Sequence, residues 1–503
     1  MSWRLCLAGI LALALAIRLV VIFTGPYIVH PDELFQYYEQ GYRLAFGSGV
    51  MPWEFHDSAR SWLIPGILAA IMTASRLIGS DPIVYIDAIR TLCAMLSLTL
   101  VYVGFETARR RDGLLGAVVT GVLCAIWIDP IYLAPSIMGE VLSAYCFLGA
   151  YLVTDGADET PSPRRMAVAG ALLGLAVCFR VQTGPAMAIF AVLRCGFEWR
   201  RWLPLVLGGV AVVLLDLGLL DVLTWGAPFQ SIWRYLLRGL FEKFAGGYAE
   251  GTSSAATYAA LIAAAWTPRA LPLALLAVIG AFRRPVLAAV VATIVATHLV
   301  FANAEYRYLS TALLACPILM GAGATYFCRV VRRVAEGRGG AEVFAGSAVV
   351  AYAGFACWVA VSQGLLFRTL DRNILDAFLA AHRQPQLCGL GAIGIGWAAG
   401  WSYTYLDRDV PIYGGSYSAT KPISPTISIP QSVVLRGKAL PIYSDSEMAQ
   451  ETSLYNFLIA PPDRDLAGFG RVECFGRAPN PANPQLCLFT RPGPCEPPPA
   501  AGN

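Results

Sequence analysis

The feature that most constrains this chain is a series of long apolar segments separated by short arginine-rich stretches. The hydrocarbon core of a bilayer is about 30 Å thick, so a helix that rises about 1.5 Å per residue needs roughly 20 apolar residues to cross it. With 57% hydrophobic and 14% charged residues, the 503 residues carry more apolar surface than one water-soluble core can bury. The sequence therefore predicts an all-α polytopic integral membrane protein.

Arginine clusters predict how the apolar segments are threaded, because basic residues are enriched in short cytoplasmic loops. If every cluster lies inside, the chain has about eleven spans, an inside N-terminus and an outside C-terminus. The first apolar segment is too long for a cleaved secretory signal, and no small-residue cleavage site follows it before Pro26, so it is predicted to remain as a span. The predicted spans are 5–24, 83–106, 113–131, 138–153, 166–179, 185–198, 203–222, 257–281, 285–303, 306–330 and 341–366.

One apolar segment, residues 61–79, does not fit this alternation. Counting it as a span would move every later arginine cluster outside, and it contains Pro65 between Arg60 and Arg76. We therefore predict an interfacial or re-entrant helix inside a first long outer loop, residues 25–82. A second long outer loop is predicted at 223–256, with an amphipathic stretch along the membrane surface.

The composition changes after about residue 367, where proline, serine, aspartate and arginine replace the long apolar runs. Short β-like runs such as SVVLRG, NFLIAP and CLFTRP predict strands there. Residues 1–366 are thus predicted to form the transmembrane domain, and residues 367–503 a small extracytoplasmic domain, α/β or mostly β. Its four cysteines would face an oxidising compartment, so one or two disulfides are expected, with several pairings open: Cys388, Cys474, Cys487 and Cys495.

The stretch that begins at His30, HPDELFQYYEQGYRLAFGSGVMPWEF, carries a dense group of polar residues directly after the first span. Asp32 is predicted to be the N-cap of a short helix, and Glu33, Gln36 and Gln40 recur on one face of it. Two adjacent carboxylates beside a histidine at the membrane surface indicate a functional site, since ionisable groups there usually mark one. A purely structural helix cap is the alternative for Asp32.

Further polar and charged side chains recur at the outer ends of later spans, whereas the cytoplasmic ends carry mainly basic clusters. This asymmetry indicates a polar cavity that opens outward. A structural ion pair or a hydrated helix end is the alternative for any one of them. The residues are Asp129, Glu140, Arg180, Asp221, His298, Glu305 and Arg307.

Several function classes lack their sequence features here. The chain contains no Walker loop, no GxGxxG between a strand and a helix, no HExxH and no paired CxxC. Only four histidines are present, so a histidine-rich metal site is not predicted, and no cofactor is expected. The net charge of +4 is small and spread along the chain, which argues against a nucleic-acid partner.

The stretch from His30, together with ARSWLIPGILA after it, resembles the signature of glycosyltransferase family 22, the polytopic GT-C mannosyltransferases of GPI-anchor and N-glycan assembly. The similarity includes the HPDE core, Gln36, the Trp53-Glu54 pair, and Arg60 ahead of an apolar segment. Four later blocks follow in the family's order within residues 25–330: PSIMGEVLSAY, GLAVCFRVQTG, LLDVLTWGAPFQSIWRYLLRGLFEKFAGGY and HLVFANAEYRYLSTALL. Residues 367–503 show no such resemblance.

The resemblance implies an inverting mannosyltransferase that uses a polyprenyl- or dolichyl-phosphate-linked sugar and a glycan or glycolipid acceptor on the non-cytoplasmic face. Asp32 is then the expected general base, with Glu33 second, and Arg307, followed by Arg180, is expected to stabilise the departing phosphate. Membrane lipids are the remaining expected partners. The substrate-binding residues implied are His30, Gln36, Trp53, Glu54, Arg60, Glu140, Arg180, Glu305 and Arg307.

Other functions and locations compete with this interpretation. A transporter or lipid flippase predicts charges near the bilayer midplane and pseudo-symmetric halves, and neither is evident in the sequence. A catalytically silent glycolipid-binding subunit and a GT-C enzyme for another sugar both stay open. Scarce lysine with abundant arginine, alanine and glycine is typical of a GC-rich bacterial genome, so a bacterial inner membrane is favoured over the endoplasmic reticulum.

Overall fold

The computed structural model describes residues 2–24, 30–155, 161–237, 254–300, 304–336, 340–368, 372–395, 401–414, 432–435, 438–441, 445–464, 466–476 and 485–497. The chain forms two compact units. The first contains Met1–Ile22, Arg90–Leu223 and Gly247–Arg368, and the second contains Phe23–Ile89, Thr224–Gly246 and Thr369–Asn503. Most of the first predicted outer loop thus belongs to the same unit as the C-terminal region, whereas the predicted division at 366/367 stays a prediction.

Helices make up most of the described chain. The α-helices are Trp3–Phe23, Pro31–Glu33, Glu39–Phe46, Trp53–His56, Leu63–Ser75, Pro82–Ile126, Ile128–Leu133, Gly139–Thr154, Pro163–Phe179, Gly184–Cys195, Trp199–Val213, Asp221–Trp225, Gln230–Arg234, Ala255–Trp266, Leu271–Arg283, Pro285–Leu299, Ser310–Val334, Ala341–Gln363, Leu365–Arg368, Asn373–His382, Tyr403–Leu406 and Asp445–Gln450. Two π-helical turns, Leu34–Tyr38 and Leu214–Leu220, and four 3₁₀ turns, Val181–Thr183, Pro268–Ala270, Tyr306–Leu309 and Thr452–Leu454, connect or extend them.

Among the described residues, five helices are long and apolar enough to cross a bilayer, and one bent pair could form a sixth span. Four shorter apolar helices accompany them: Leu63–Ser75, Gly139–Thr154, Val181–Cys195 and Pro285–Leu299. These helices support a multi-pass membrane protein, while the count of about eleven spans stays a prediction. The predicted interfacial segment forms a 13-residue helix, Leu63–Ser75, which is about 20 Å long and thus shorter than a bilayer core.

Two interruptions modify the predicted spans. The helical stretch Pro82–Ile126 is broken at Gly113, whose φ of 80° and ψ of −170° suit glycine alone. Two helices therefore meet there, near the turn predicted from the basic residues Arg109 to Arg111. The predicted continuous span 257–281 is wrong in one respect: the helices on either side of Thr267 meet at 94°. Pro268 explains this bend, because it has no backbone N–H to continue the first helix and begins the next turn instead.

In the first unit, glycines on several helices lie directly against the backbone of a neighbouring helix. A Cβ atom on Gly170 would lie 1.8 Å from the carbonyl oxygen of Leu205, and one on Gly280 would lie 1.9 Å from that of Leu319. Only glycine permits these backbones to approach so closely, which is how helices commonly associate in lipid, where the hydrophobic effect between them is absent. The pairs are Pro163–Phe179 with Trp199–Val213, and Leu271–Arg283 with Ser310–Val334.

The C-terminal part of the second unit contains a five-stranded sheet in the order β2-β1-β5-β7-β6. β1 pairs in parallel with both β2 and β5, whereas β5, β7 and β6 are antiparallel. A separate antiparallel pair joins β3 and β4. The strands are β1 Leu390–Ala392, β2 Ile412–Gly414, β3 Ser432–Leu435, β4 Lys438–Pro441, β5 Phe457–Ala460, β6 Gly470–Phe475 and β7 Leu486–Thr490.

This sheet confirms the small C-terminal strand-bearing region and resolves the cysteine pairing. The three β-like runs noted in the sequence are β3, β5 and β7. Disulfides join Cys388 to Cys495, across 107 residues, and Cys474 to Cys487, which face each other on β6 and β7. Tyr455, Leu458 and Phe489 contribute to the hydrophobic core beside the second bridge.

Candidate functional site

The HPDE sequence forms the start of a helix in the second unit. His30, in an extended conformation, is the N-cap, and its Nδ1 accepts a hydrogen bond of 3.1 Å from the backbone N–H of Asp32. The prediction that Asp32 caps the helix is therefore wrong by two residues. Pro31 explains the shift, because its fixed φ suits the first helical position and moves the cap to the residue before it.

The two carboxylates of this first turn differ in accessibility. The side chain of Asp32 is 34% exposed and its carboxylate lies 3.7 Å from His30 Nδ1, whereas Glu33 is 2% exposed. Asp32 can therefore meet a ligand that arrives from outside, while Glu33 faces the protein.

The π-helical turn Leu34–Tyr38 and the helix Glu39–Phe46 continue this element, and we call residues 31–46 the motif helix. Gln36 donates a hydrogen bond of 2.6 Å to Glu54, so two residues that the resemblance implies for substrate binding are in contact and buried. Gln40 donates to the carbonyl oxygens of Phe35 and Val50, at 2.8 Å each. The polar face predicted from spacing is thus directed into the second unit.

Trp53 begins the short helix that carries Glu54, and Arg60 follows in the next turn. The indole of Trp225 donates a hydrogen bond of 3.0 Å to the carbonyl of Arg60, and the guanidinium of Arg60 lies 5.1 Å from the ring centre of Tyr235. Trp225 and Tyr235 come from the second predicted outer loop, so the described parts of both outer loops are in contact within this unit. Residues 238–253 of that loop, like residues 25–29 of the first, lie outside the described residues.

Glu39 is a site residue that sequence reasoning missed. One of its carboxylate oxygens accepts hydrogen bonds from the Ser402 hydroxyl at 2.7 Å, the Thr404 hydroxyl at 2.6 Å and the Thr404 backbone N–H at 2.8 Å. The other accepts from the Val50 N–H at 2.9 Å. Burial raises the pKa of Glu39 above its ordinary value of 4.5, and these donors oppose part of that rise. The only signal in the sequence was the spacing of Glu39 three residues after Gln36, and this spacing does not indicate which residues bind Glu39.

The first unit contains a second group of predicted residues, Glu140, Arg180, Glu305 and Arg307, which we call the arginine cluster. Glu140 lies 3.2 Å from the guanidinium of Arg180 and 3.4 Å from that of Arg307. Arg307 also donates a hydrogen bond of 2.6 Å to Glu305. All but Glu305 are buried, so each guanidinium is held in a fixed orientation by carboxylates rather than by water.

Aromatic side chains complete the arginine cluster. The ring centre of Tyr308 lies 5.2 Å from the guanidinium of Arg180 and 5.1 Å from that of Arg307. His298, another predicted residue, stacks on the same tyrosine at 5.7 Å and is buried. Two guanidinium groups thus share one tyrosine and one carboxylate, and with Glu305 the cluster contains two positive and two negative side chains. Guanidinium groups are suited to bind an oxyanion such as phosphate.

Asp129 forms a third polar centre, also in the first unit. Its carboxylate is fully buried and accepts hydrogen bonds from the indoles of Trp127 at 3.0 Å and Trp266 at 2.9 Å. The hydroxyl of Tyr306 donates to its other oxygen. Tyr306 stands directly before Arg307 in the chain, so this aspartate anchors the turn that carries the arginine.

The predicted residues thus fall into two groups. The second unit contains His30, Asp32, Glu33, Gln36, Trp53, Glu54 and Arg60, and the first contains Glu140, Arg180, Glu305 and Arg307. Within each group, contacts join most members, but their functional roles stay predictions. No cluster of three metal-ligating side chains occurs among the described residues.

Comparison with known proteins finds a family that is similar to the N-terminal part of the chain. The model of the Alg9-like mannosyltransferase family matches residues 9–236. The match spans a little under half of the chain, so it shows a similarity of this region to that family. The resemblance to the GT-C mannosyltransferases is thereby confirmed for the part of the chain that contains the HPDE, Glu140 and Arg180 blocks.

Two individual proteins are also similar to this chain. GPI mannosyltransferase 3 of Yarrowia lipolytica is 38% identical over 72 residues, a match that spans 14% of this chain and 14% of the relative's length. The crystal structure of ArnT from Cupriavidus metallidurans, bound to undecaprenyl phosphate, aligns with a TM-score of 0.56 and 14% identity over 96% of this chain and 98% of that chain. At this identity the second match shows a similar fold and nothing further.

Proposed function

We propose that this protein is a membrane glycosyltransferase that transfers a sugar, in first place mannose, from a polyprenyl-phosphate carrier to a glycan or glycolipid acceptor. The family match over residues 9–236, which includes the whole HPDE stretch, carries the proposal. The ArnT structure supports a lipid-phosphate donor, since that protein was crystallised with undecaprenyl phosphate. The acceptor, the linkage and the choice of mannose rest on the family alone.

In the proposed reaction an acceptor hydroxyl attacks the anomeric carbon from the face opposite the phosphate. Asp32 takes the hydroxyl proton as the new carbon–oxygen bond forms and the bond to the phosphate oxygen breaks, and the polyprenyl phosphate leaves with both electrons of that bond. A positioned general base contributes typically about 10² to 10⁴ in rate. Its exposure favours Asp32 over the buried Glu33 for this role. A single displacement inverts the anomeric configuration.

The arginine cluster is proposed to stabilise the departing phosphate. Arg307 and Arg180 retain their charge at any working pH, and their fixed forks match two phosphate oxygens without a metal ion. Glu140 and Glu305 hold the guanidinium groups in position before a ligand arrives, which reduces the reorganisation needed in the transition state. No cofactor is part of this mechanism.

The disulfides support a non-cytoplasmic location for the C-terminal region and the active site. Disulfides persist in oxidising compartments and are rare where thiols are kept reduced. Both bridges belong to the unit that also contains Asp32 and the motif helix. We therefore propose that acceptor and donor meet on the outer face, in a bacterial inner membrane in first place.

Sugar transfer by isolated membranes tests this function. Membranes with wild-type protein, Asp32→Asn or Glu33→Gln are incubated with radiolabelled polyprenyl-phosphate mannose, detergent and lipid extract of the source strain. Wild type is expected to transfer label, and Asp32→Asn, present at equal level, to transfer about 10² to 10⁴ times more slowly. Asp463→Asn is the matched control, because that carboxylate is exposed in the C-terminal region. If wild type consumes no lipid-linked sugar, a glycolipid-binding subunit or a transporter becomes the better explanation.

A further inference from the structure

Residues 402–407 of the C-terminal region contact the first outer loop through two carboxylates that reach in opposite directions, and we call these residues the clamp segment. Glu39 of the motif helix accepts three hydrogen bonds from Ser402 and Thr404. In return, Asp407 of the clamp segment accepts one of 3.0 Å from the Tyr42 hydroxyl and forms an ion pair with Arg76. Each side therefore provides both an acceptor and donors, so the contact is specific for this pairing of segments.

The part of the clamp contact around Glu39 is buried, whereas Arg76 is partly exposed. Glu39, Ser402 and Thr404 are fully buried, and so is the Tyr85 ring, whose hydroxyl donates a hydrogen bond to the carbonyl oxygen of Thr404. A buried donor that loses its acceptor has no water to replace it, so each bond in this interface is expensive to remove. We therefore expect the clamp segment to stay bound to the motif helix in the folded protein.

The backbone conformation of Asp407, at the end of the clamp segment, also indicates that this contact is specific. Asp407 has a φ of 46° and a ψ of 42°, a left-handed conformation that side-chain-bearing residues disfavour. The bonds from Tyr42 and Arg76 hold it there, and the Arg76 guanidinium also lies 4.6 Å from the ring centre of Phe46 at the end of the motif helix. A disfavoured conformation persists only where its surroundings determine it.

The motif helix links this joint to Asp32. Helical residues run without interruption from Pro31 to Phe46, so Asp32 and Glu39 are seven positions apart, about 10 Å along the axis. The second oxygen of Glu39 holds Val50, whose carbonyl oxygen in turn binds Gln40. Fixing Glu39 therefore fixes both the helix and the turn that follows it.

From these contacts we propose that the clamp segment sets the position of the motif helix, with Glu39 as a positioning residue for the proposed base Asp32. This inference rests on the proposed transferase function. It gives the C-terminal region, which lies outside the family match at residues 9–236, a positioning role: the clamp segment completes the support of the motif helix. Glu39 itself, buried at the far end of the helix, does not meet substrate.

The test removes some of the hydrogen bonds between the clamp segment and Glu39 and keeps the others. Ser402→Ala combined with Thr404→Val removes both hydroxyl donors but leaves the Thr404 backbone N–H on Glu39. Thr490→Val is the matched control, because its hydroxyl donates at 3.3 Å to the Asn456 carbonyl within the C-terminal sheet. Full-length proteins in detergent are compared by hydrogen exchange of peptide 30–46 and by kcat and KM for radiolabelled polyprenyl-phosphate mannose.

The double variant is expected to exchange peptide 30–46 at least about tenfold faster, with peptides of Pro163–Phe179 and β7 unchanged. Its kcat should fall about tenfold to a hundredfold at unchanged donor KM, because a reacting group displaced by about 1 Å can lose about a hundredfold in rate. Unchanged exchange in the peptide, or faster exchange at unchanged kcat, overturns the inference. The inference also fails if hydrogen exchange becomes faster in all peptides of both the double variant and the milder Ser402→Ala, because the effect is then general destabilisation. If wild type transfers no sugar, the proposed function fails, and the exchange data still decide whether the clamp holds the helix.

Discussion

Two buried carboxylates, Glu39 in the second unit and Asp129 in the first, each collect hydrogen bonds from distant parts of the chain, but they use different donors. Two backbone N–H groups, from Val50 and Thr404, bind opposite oxygens of Glu39, and two hydroxyls add to them. Asp129 instead receives two indole N–H groups on one oxygen and a phenol hydroxyl on the other. Backbone and indole donors are fixed in direction, whereas a hydroxyl can rotate and accept instead.

The comparison shows how each predicted group of site residues is supported. Glu39 anchors the motif helix that carries Asp32, and Asp129 anchors the turn that carries Arg307. In both cases the anchor is a buried acid that does not itself do the proposed chemistry. Glu39 lies on the same helix as Asp32, and this is the motif helix. Asp129 binds Tyr306, the neighbour of Arg307 in the chain. Identical burial does not make the two anchors equally tolerant of change, because only one of them has fixed donors on both oxygens.

Truncation of either acid is expected to have the largest effect. Glu39→Ala and Asp129→Ala each leave three or more buried donors without an acceptor, and each should destabilise the protein by about 3 kcal/mol. The measurement is the thermal unfolding midpoint in detergent. Glu342→Ala is the control, because Glu342 forms a surface ion pair with Arg332, a type of contact that contributes little to stability. If either truncation behaves like the control, the corresponding carboxylate does not anchor its segment.

Replacement by the isosteric amide should separate the two anchors. Glu39→Gln must direct its NH₂ group at a backbone N–H in either orientation, so a loss of about 2 kcal/mol is expected. Asp129→Asn can keep its oxygen on the two indoles and direct its NH₂ group at Tyr306, whose hydroxyl turns to accept, so the loss should be about 1 kcal/mol or less. Midpoints measured side by side decide this, and equal losses, or a larger loss for Asp129→Asn, would contradict the account of fixed and rotatable donors.

The sequence predicted much of the architecture because membrane helices and turns leave local signals. Length, apolarity and arginine clusters placed most helices, and the break at Gly113 lies near the loop expected from Arg109 to Arg111. The bend at Thr267 was missed because one proline in an otherwise apolar run is tolerated in many membrane helices. Strands β1, β2, β4 and β6 were also missed: β1 and β2 have three residues each, and β4 and β6 contain few β-branched residues.

The sequence nominated members of the candidate site, whose roles stay predictions, but not the contacts that support them. Adjacent charges and family spacing identified Asp32, Glu140, Arg180 and Arg307, and the structure places the last three in contact. The role of Glu39 could not be read from the sequence, because its partners Ser402 and Thr404 lie more than 360 positions away and leave no periodic signal. Long-range hydrogen bonds of this kind depend on tertiary packing, which local patterns do not encode.

The pH dependence of stability should show the smallest effect and bears on the Glu39 anchor alone. Because burial raises the pKa of Glu39 in the folded protein above its ordinary 4.5, the folded state keeps a proton that the unfolded state loses between 4.5 and the raised value. The stability of wild type should therefore fall as the pH rises through that window, whereas Glu39→Gln, which cannot titrate, should lack this component. The gap between the two unfolding midpoints, compared at pH 4 and pH 8, is expected to narrow by about 1–2 °C, since about 1 kcal/mol shifts the midpoint of a large domain by only a few degrees. A gap that widens toward pH 8 would mean that the four donors outweigh burial and hold Glu39 as a carboxylate, which would make its bonds to the clamp segment stronger rather than weaker at neutral pH.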